Sequence, residues 1–313
     1  MDARPHATIL INTKDRKDEL AKALESVLQQ RGQYEVLVFD DGSSDGTAEM
    51  IRERFPTVRV ERSESPLGIV PARNRAIPMA AAPIVVVVDD DCILSDLETV
   101  AITLSEFDRP EIGAVAIPHR DVLVDPAVRS AAPDRDQVYL GASFRGCAHA
   151  VRVEAFQRAG GYREVLWRQG EESDLCLRML DAGYVTRVGT APPIDHYESP
   201  HRDKPAISFY TIRNGLLLTW LNTPLPWLVP ALVANAWGTG RAAWRRRHPG
   251  QIPRGLAAAL RLILGGSERR RPVSGPAFRT FRRLRRARKP LAYSTTRSSL
   301  FANSPDVVSS PPS

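Results

Sequence analysis

Three apolar runs that end at polar or acidic residues constrain this chain more than any other feature of its sequence. They are residues 7–12 (ATILIN), 34–39 (YEVLVF) and 84–88 (IVVVV). Apolar runs of this length are typical of strands that are buried on both faces. Residues 18–30 (DELAKALESVLQQ) place leucine and valine at helical spacing between the first two runs. Strands that alternate with helices predict right-handed βαβ units, and therefore an α/β fold with a Rossmann-like, mostly parallel sheet.

The polar residues at the ends of these runs predict one ligand-binding crevice. In open α/β sheets, ligands bind beyond the carboxyl ends of the strands. Those ends carry Thr13, the aspartates at 40–41 and the aspartates at 89–91. We therefore expect the three polar clusters to line the same crevice.

The two parts of the chain carry opposite net charges. Residues 1–200 contain 23 Lys and Arg against 33 Asp and Glu, whereas residues 201–313 contain 20 against 3. Such asymmetry indicates separate roles for the two parts. We predict a folded α/β domain over 1–206, a helical basic region over 207–290 and a disordered Ser/Pro-rich tail over 291–313.

The segment 214–240 contains no charged side chain, but three prolines interrupt it. A single membrane span needs about twenty unbroken apolar residues. We therefore expect either two shorter helices that lie against a bilayer surface or a buried helical hairpin of the fold. The arginine clusters at 245–247 and 269–271 favour an anionic membrane surface as a partner.

The cysteines and the N-terminal residues indicate a cytoplasmic protein. Cys92, Cys147 and Cys176 are odd in number, widely spaced and contain no CxxC pair, so we expect reduced thiols. The first apolar run is too short for a secretory signal. Combined with the basic C-terminal region, this predicts a cytoplasmic protein that is peripheral at the inner face of the cell membrane.

Residues 40–47 (DDGSSDGT) form a strand end followed by a small-residue turn into a helix. The carboxylate of Asp41 is suited to hydrogen-bond a base or ribose, and Gly42 and Ser43 allow the backbone to approach a ligand closely. Asp-Gly-Ser is also ordinary turn chemistry, so the turn by itself leaves both interpretations open.

The triple aspartate at 89–91 predicts a cation site. Adjacent carboxylates that are partly buried repel one another unless a cation neutralises them. A set of oxygen ligands favours Mg²⁺ or Mn²⁺ over softer metals. A solvated acidic turn is the alternative interpretation.

Three acids and one histidine in the second half of the predicted α/β domain are further candidates. Glu171, Glu172 and Asp174 open a helix, where a carboxylate near other acids acquires the raised pKa that suits a general base. Helix capping and the helix dipole explain one of these acids better than three. His196 follows Asp195, and its imidazole is either a metal ligand or a structural side chain.

Taken in order, these motifs resemble the family-two glycosyltransferases of the GT-A fold over residues 6–214. INTKDR resembles the opening strand, FDDGSSDGT the nucleotide turn, and LGIVPARNRAI the segment that approaches the donor. VVVVDDDC matches the strand with the DxD signature, and GEESDLCLRMLDAGY resembles the segment with the catalytic acid. An Arg-Asn pair further along the chain, here Arg213 and Asn214, is also common in the family.

The resemblance implies a role for each residue. Thr13 and Asp41 would contact the base, and Asp89 the ribose. The residues that it places around the nucleotide sugar are Thr13, Asp41, Gly42, Ser43, Arg73, Asn74, Asp89 and Asp90. Asp91 would hold Mg²⁺ or Mn²⁺ at the diphosphate, with His196 as a further ligand. Asp15 stands where Asn is more usual, which leaves its contact undefined.

The implied catalytic base is Glu172, at a position where the family usually has Asp. Because Glu is one methylene longer, Glu171 and Asp174 are alternatives for the same role. The base would take a proton from the acceptor hydroxyl in a single displacement with inversion at the anomeric carbon.

The resemblance thus implies a hexosyl- or deoxyhexosyltransferase that uses a nucleotide-sugar donor and a glycan, lipid-linked or small-molecule acceptor. The QxxRW signature of processive synthases is absent, so we expect one sugar per encounter. A nucleotidyltransferase is an alternative, but the sequence lacks a Gly-rich phosphate loop with Lys near its start. A nucleic-acid-binding module with a basic tail is another. The acidic crevice and the lack of an aromatic-rich basic motif speak against it, and we expect no nucleic acid partner.

Overall fold

The computed structural model describes residues 5–198, 203–266, 268–287 and 289–296. The helices are, in chain order, α1 (Lys17–Leu28), α2 (Thr47–Arg54), α3 (Ile69–Ala76), α4 (Thr99–Ser105), α5 (Val153–Arg158), α6 (Glu171–Asp181), α7 (Lys204–Asn222), α8 (Leu225–Arg245), α9 (Gln251–Leu264) and α10 (Gly275–Arg286). The strands are β1 (Ala7–Thr13), β2 (Tyr34–Asp40), β3 (Arg59–Arg62), β4 (Ile84–Asp89), β5 (Cys92–Ile93), β6 (Ile112–Ala116), β7 (His119–Asp121), β8 (Asp125–Arg129), β9 (Tyr139–Gly141), β10 (Ala148–Arg152), β11 (Val185–Val188), β12 (Ile194–His196) and β13 (Leu291–Ala292).

A nine-stranded sheet in the order β13-β9-β11-β6-β10-β4-β1-β2-β3 forms the centre of the molecule. The four strands β4, β1, β2 and β3 are parallel, whereas β10 runs antiparallel between β4 and β6. The predicted α/β fold is therefore confirmed. The parallel pairing sets Thr13 beside Asp40 and Asn12 beside Asp89, so the polar ends of three strands meet at one edge.

Strand β4 shows why the apolar runs lie in the centre of this sheet. Val86 and Val88 belong to one apolar cluster, and Val85 and Val87 belong to another. Successive side chains of a strand point to opposite faces, so the two clusters lie on the two faces of the sheet. Helix α1 contributes to the first cluster, and helices α3 and α6 contribute to the second. A strand that is covered on both faces must be apolar throughout, as IVVVV is.

A four-stranded sheet in the order β5-β12-β7-β8 lies beyond the triple aspartate. In it, Cys92 of β5 lies opposite His196 in antiparallel register, and Asp121 of β7 lies beside His196 in parallel register. This second sheet brings His196, which follows about a hundred positions later in the chain, to the DxD segment.

The C-terminal helices pack onto the α/β domain. Helices α7 and α8 pack against each other as a hairpin with the turn at Thr223 and Pro224, but only Leu228 and Ala243 of α8 are buried, so the predicted choice between a buried hairpin and helices at a bilayer surface stays open. Leu217 and Leu221 of α7 pack on Leu166, and α10 packs on α6 through an apolar cluster of its own. None of the helices in the described part of the chain is both long enough and apolar enough to span a membrane.

Two predicted boundaries differ from the structure. The predicted boundary after residue 206 falls inside α7, which begins at Lys204. The predicted tail starts at residue 291, but Leu291 and Ala292 pair with β9, and Tyr293 is buried. The prediction of disorder is therefore wrong for 291–296, because this segment completes the edge of the sheet; the rest of the predicted tail lies outside the described residues.

Candidate active site

The ends of β1 and β4 are joined by a polar network at the carboxyl edge of the sheet. Thr13 donates from Oγ1 to Oδ2 of Asp90 at 2.8 Å. Arg16 contacts both neighbouring acids: Nη1 lies 3.0 Å from Oδ1 of Asp90, and Nη2 lies 3.0 Å from Oδ2 of Asp91. Sequence reasoning missed Arg16, although it is the last letter of the INTKDR motif. Its charge offsets the repulsion within the triple aspartate.

Asp90 is held inside this network and does not join the residues that are suited to a metal. Burial raises the pKa of Asp90 to about 7, while Arg16 and Thr13 act in the opposite direction. Near neutral pH, Asp90 is therefore close to the midpoint of its titration. Its contacts are with Thr13 and Arg16, so the structure gives it a supporting position behind the crevice.

Asp89, Asp91 and His196 form a group that is suited to a metal ion. Their ligating atoms all lie within 4.8 Å of one another. Oδ1 of Asp91 is buried and accepts no hydrogen bond within the described residues, although Nε2 of His196 lies 3.3 Å away. Carboxylate oxygens with one imidazole nitrogen fit Mg²⁺ or Mn²⁺. The predicted ligands Asp91 and His196 are thus brought together, and Asp89 joins them.

His196 is oriented by an acid that sequence reasoning missed. Its Nδ1 lies 2.7 Å from Oδ1 of Asp121, a residue of β7 that no local motif marks. Burial alone lowers the pKa of His196, but Asp91, Cys147 and Asp121 together raise it to about 11. The imidazole must therefore lose a proton before Nε2 binds a metal.

The turn after β2 packs against neighbouring loops. Both carboxylate oxygens of Asp41 accept backbone hydrogen bonds, from the amides of Leu67 at 2.7 Å and Gly68 at 2.8 Å. A Cβ on Gly42 would lie 3.2 Å from the backbone nitrogen of Pro66, so this glycine allows the loop to lie close. The carboxylate of Asp41 thus shapes the rim of the crevice.

Ser43 and Asp15 join the loop after β1 to the turn after β2. Oγ of Ser43 accepts from the amide of Asp15 at 2.9 Å, and Oδ1 of Asp15 accepts from the amide of Ser44 at 2.6 Å. Asp15 has a φ of 52°, in the left-handed region that Asn and Asp adopt more readily than most residues. Both Asp and Asn fit this backbone conformation.

Arg73 connects the donor side of the crevice to the acids of α6. Nη2 donates to Oδ1 of Asp89 at 2.6 Å and to the carbonyl of Gly146 at 3.0 Å. A Cβ on Gly146 would lie 3.0 Å from both Nη1 of Arg73 and Oε1 of Glu172. Arg73 is itself 3% exposed, so its charge acts at short range in a poorly solvated place.

Asn74, by contrast, does not face the crevice. Its Nδ2 donates to the carbonyl of Tyr162 at 2.8 Å and to Oε1 of Glu164 at 3.1 Å. Its Oδ1 accepts from the amide of Tyr162 at 2.8 Å. The predicted contact of Asn74 with the donor is corrected here: successive residues of a helix point in different directions, and this amide secures the segment at 162–164 instead.

Glu171 and Glu172 form a pair of acids at the start of α6. Burial and the charge of Glu172 raise the pKa of Glu171 to about 8. Oε2 of Glu171 is buried and has no hydrogen-bond partner among the described residues. Glu171 therefore keeps its proton at neutral pH, which leaves Glu172 as the stronger candidate for the base.

Asp174 belongs to a buried ion-pair network. Its carboxylate lies 3.0 Å from Nη1 of Arg163 and 2.6 Å from Nη2 of Arg178, and it accepts from Nδ2 of Asn222 at 2.7 Å. Arg163 and Asn222 join α6 to neighbouring segments, whereas Arg178 is one helical turn further along α6 itself. The structure thus corrects the prediction that Asp174 is an alternative base, because its oxygens are occupied by structural partners.

The loop before α6 is secured by α7. Nδ2 of Asn214 donates to the carbonyls of Leu166, Arg168 and Gln169 at 2.6–2.9 Å. The loop needs this support because Trp167, Gln169 and Gly170 all have positive φ. The C-terminal part of the chain therefore positions the start of α6, on which Glu171 and Glu172 stand.

The fold is that of the GT-A class of glycosyltransferases. Residues 8–166 match the family described as glycosyl transferase family 2, which is just over half of the chain. The protein belongs to glycosyl transferase family 2. The predicted resemblance is thereby confirmed.

Single relatives match this chain either over a short stretch or at low sequence identity. The succinoglycan biosynthesis protein ExoU of Rhizobium meliloti is 36% identical over 89 residues, which are 26% of this chain and 25% of that protein. The chain thus spans about a quarter of the length of this curated relative. The mannosyltransferase PcManGT of Pyrobaculum calidifontis, in complex with GDP-Man and Mn²⁺, has a TM-score of 0.58 at 20% identity and covers 96% of this chain and 86% of its own. S. aureus TarS 1-349, in complex with UDP-GlcNAc, has a TM-score of 0.61 at 14% identity and covers 82% and 81%. These likenesses show a shared fold.

Proposed function

We propose that this protein transfers a sugar from a nucleoside-diphosphate donor to an acceptor hydroxyl, with inversion and with Mg²⁺ or Mn²⁺. The observation that carries the proposal is the position of Arg73, which binds Asp89 and whose Nη1 approaches Gly146 from the same side as Oε1 of Glu172. One guanidinium thus joins the carboxylates suited to a donor and its metal to the acids suited to activate an acceptor. The membership of family 2 and the nucleotide sugars bound by structural neighbours support this assignment.

In this proposal Glu172 is the general base. It accepts the proton of the acceptor hydroxyl while the oxygen attacks the anomeric carbon from the face opposite the nucleotide. Glu171 stays protonated beside it, because burial and the Glu172 charge raise its pKa to about 8.

Arg73 stabilises the departing nucleoside diphosphate. Its buried guanidinium is held by Asp89 and by the carbonyl of Gly146, so it is oriented before the charge develops. A divalent ion held by Asp91 and His196, with Asp89 beside them, would neutralise part of the diphosphate charge when bound. Asp41 and Thr13 are proposed to contact the base of the nucleotide, with Gly42 and Ser43 at the rim.

A panel of nucleoside diphosphates and nucleotide sugars, tested with and without Mn²⁺ or Mg²⁺, examines this proposal. We expect one donor to raise the melting temperature only when the metal is present. The released product should be a nucleoside diphosphate, since a nucleotidyltransferase would release pyrophosphate instead. NMR of the early product should show the inverted anomer, and the addition of single sugars would mark the enzyme as non-processive. A protein that binds neither metal nor any nucleotide sugar would contradict the proposal.

We also propose that the protein binds the surface of an anionic membrane. Helix α8 presents an apolar stripe to solvent whose members are 66–75% exposed and mostly four residues apart: Leu225, Val229, Val233, Trp237 and Trp244. Exposed arginines at 241 and 245–247 adjoin the end of the stripe that carries the tryptophans. An apolar face with a basic border is typical of helices that lie in the plane of a bilayer surface. An acceptor attached to a lipid would be accessible to an enzyme in this position.

A further inference from the structure

We propose that Cys92, Cys147 and His196 form a binding site for Zn²⁺. The Sγ atoms of both cysteines and a ring nitrogen of His196 lie within 4.8 Å of one another. All three side chains are buried, at 0%, 4% and 2% exposed. The site adjoins the group proposed for Mg²⁺ or Mn²⁺, but it is made of softer ligands.

The sheet register brings these ligands together on rigid backbone. Cys92 and His196 are directly opposed residues of the antiparallel pair β5 and β12. Such residues have Cβ atoms about 4.5–5.5 Å apart on one face of a sheet. Cys147 immediately precedes β10, and its carbonyl accepts from Sγ of Cys92 at 3.4 Å. The three ligands therefore come from strand ends that are fixed by the sheets.

The imidazole of His196 is oriented as it is in many zinc sites. Asp121 contacts Nδ1 at 2.7 Å, which leaves Nε2 for the cluster. Nε2 lies 3.3 Å from Oδ1 of Asp91, the oxygen that accepts no hydrogen bond within the described residues. A carboxylate that holds the remote nitrogen of a histidine ligand fixes its tautomer and strengthens the metal bond.

The ligand set selects for zinc. Two thiolates and one imidazole match three positions of tetrahedral Zn²⁺, whose fourth position water fills in many sites, whereas Mg²⁺ takes oxygen ligands in octahedral geometry. On binding, each thiol transfers its proton to solvent, the imidazolium of His196 does the same, and the resulting lone pairs coordinate the metal. No change of oxidation state is involved.

The proposed site shares His196 with the metal site of the donor. Zinc held by the two cysteines would therefore withdraw His196 from Mg²⁺ or Mn²⁺ and inhibit the transfer reaction. This consequence rests on the proposed function, whereas the binding of zinc does not.

Cobalt absorption tests the binding directly on the full chain. Co²⁺ bound by thiolates gives an intense charge-transfer band in the near ultraviolet, which we expect for the wild type and which one equivalent of Zn²⁺ should remove. The variants Cys92→Ser and Cys147→Ser should lose the band. The variant Cys176→Ser should keep it, because Cys176 is buried on α6 and lies outside the cluster. A wild type without the band, or a band that survives both substitutions, overturns the site.

Two further measurements do not depend on the folding of the cysteine variants. X-ray absorption of the zinc-loaded wild type should show two sulfur neighbours at about 2.3 Å, and a shell of only oxygen and nitrogen would overturn the proposal. The variant Asp121→Asn should weaken zinc binding about 10–100-fold, as the loss of such an outer hydrogen bond does in other sites. Circular dichroism of each variant shows whether its fold is intact.

The proposed inhibition by zinc is measured separately from zinc binding. Zn²⁺ should inhibit nucleoside diphosphate release by the wild type, and Cys92→Ser should relieve the inhibition by at least tenfold in zinc concentration. If no donor is turned over at all, the proposed function fails while the cobalt and X-ray absorption results still decide the zinc site. Equal inhibition of wild type and variant would exclude the cysteines from the inhibitory site.

Discussion

Arg73 and Asp89 form a hydrogen-bonded ion pair with an Nη2 to Oδ1 distance of 2.6 Å. Arg73 is on α3 and Asp89 ends β4, and the arginine side chain is almost completely buried. The pair lies between the donor side of the crevice and the acids of α6. Replacement of either residue therefore leaves the charge of the other without this partner.

Replacement of Arg73 tests its role at the leaving group. We expect Arg73→Gln to lower the rate of nucleoside diphosphate release by about 10²–10³-fold, the usual effect of removing one preorganised donor from a developing charge. Arg75→Gln is the matched control, because Arg75 is on the same helix but exposed. Initial rates at saturating donor measure the effect. Similar rates for the two variants would contradict the assignment.

Glu171 and Glu172 are distinguished by separate substitutions. We expect Glu172→Gln to lower kcat by about 10²–10⁴-fold, because the amide does not accept the proton of the acceptor. Glu171→Gln should have a much smaller effect, since this residue is already neutral near pH 7. Donor binding, measured by thermal shift, should persist in both variants. Full transfer activity in Glu172→Gln would remove Glu172 from the mechanism.

The raised pKa of Glu171 predicts a dependence of stability on pH. In the folded protein the pKa is about 8, above the ordinary value of 4.5, mainly because of burial. Between these two values the unfolded chain releases a proton that the folded chain retains, so rising pH favours unfolding. The stabilising contribution of Glu171 is complete below about pH 4.5 and is lost as the pH rises through 8.

Melting temperatures of the wild type and of Glu171→Gln measure this dependence. Relative to the variant, the wild type should lose stability from pH 5 to pH 8 and change little above pH 9. Each 1 kcal/mol of difference corresponds to roughly 2–4 °C. Parallel curves for the two proteins would show that Glu171 has no raised pKa.

We expect Asp174 to stabilise the folded protein and to have no direct role in catalysis. Asp174→Ala leaves Arg163 and Arg178 without their buried partner, which should lower the free energy of unfolding by about 3–5 kcal/mol. Glu154→Gln breaks an exposed pair with Arg158 and should change it by no more than about 0.5 kcal/mol. Urea unfolding compares the two. An Asp174 variant as stable as the wild type, but inactive, would restore Asp174 as a catalytic candidate.

Acidic substitutions test whether the apolar stripe of α8 binds a membrane surface. The double variant Val233→Glu with Trp237→Glu places two acids at the centre of the stripe and should abolish flotation with vesicles of anionic lipid. Val128→Glu is the control, since Val128 is a 48% exposed valine on β8, far from the stripe in the chain. High salt should weaken binding of the wild type, because it screens the arginines. Equal flotation of all three proteins would contradict the proposed surface.

Much of the fold and of the metal group was predictable from sequence. The apolar runs around Ile9 and Val86 specify buried strands, and aspartates directly after them specify a polar edge. The triple aspartate was recognisable as a candidate cation site because adjacent, partly buried carboxylates repel one another unless a cation neutralises them, and His196 because a neutral imidazole binds metals. The same reasoning failed for Asn74 and Asp174, which carry the expected residue types but point to structural partners.

Motifs within the sequence determined that the chain is an α/β protein of glycosyl transferase family 2 with an acidic crevice, because strand and helix periodicities and strand-end acids are local patterns. Only the tertiary structure decided that Arg16 and Asp121 belong to the site and that Cys92 faces His196. It also decided that α7 supports the loop before α6. The physical reason is that side-chain direction and the register between distant strands depend on packing, and no single segment of the chain contains that information.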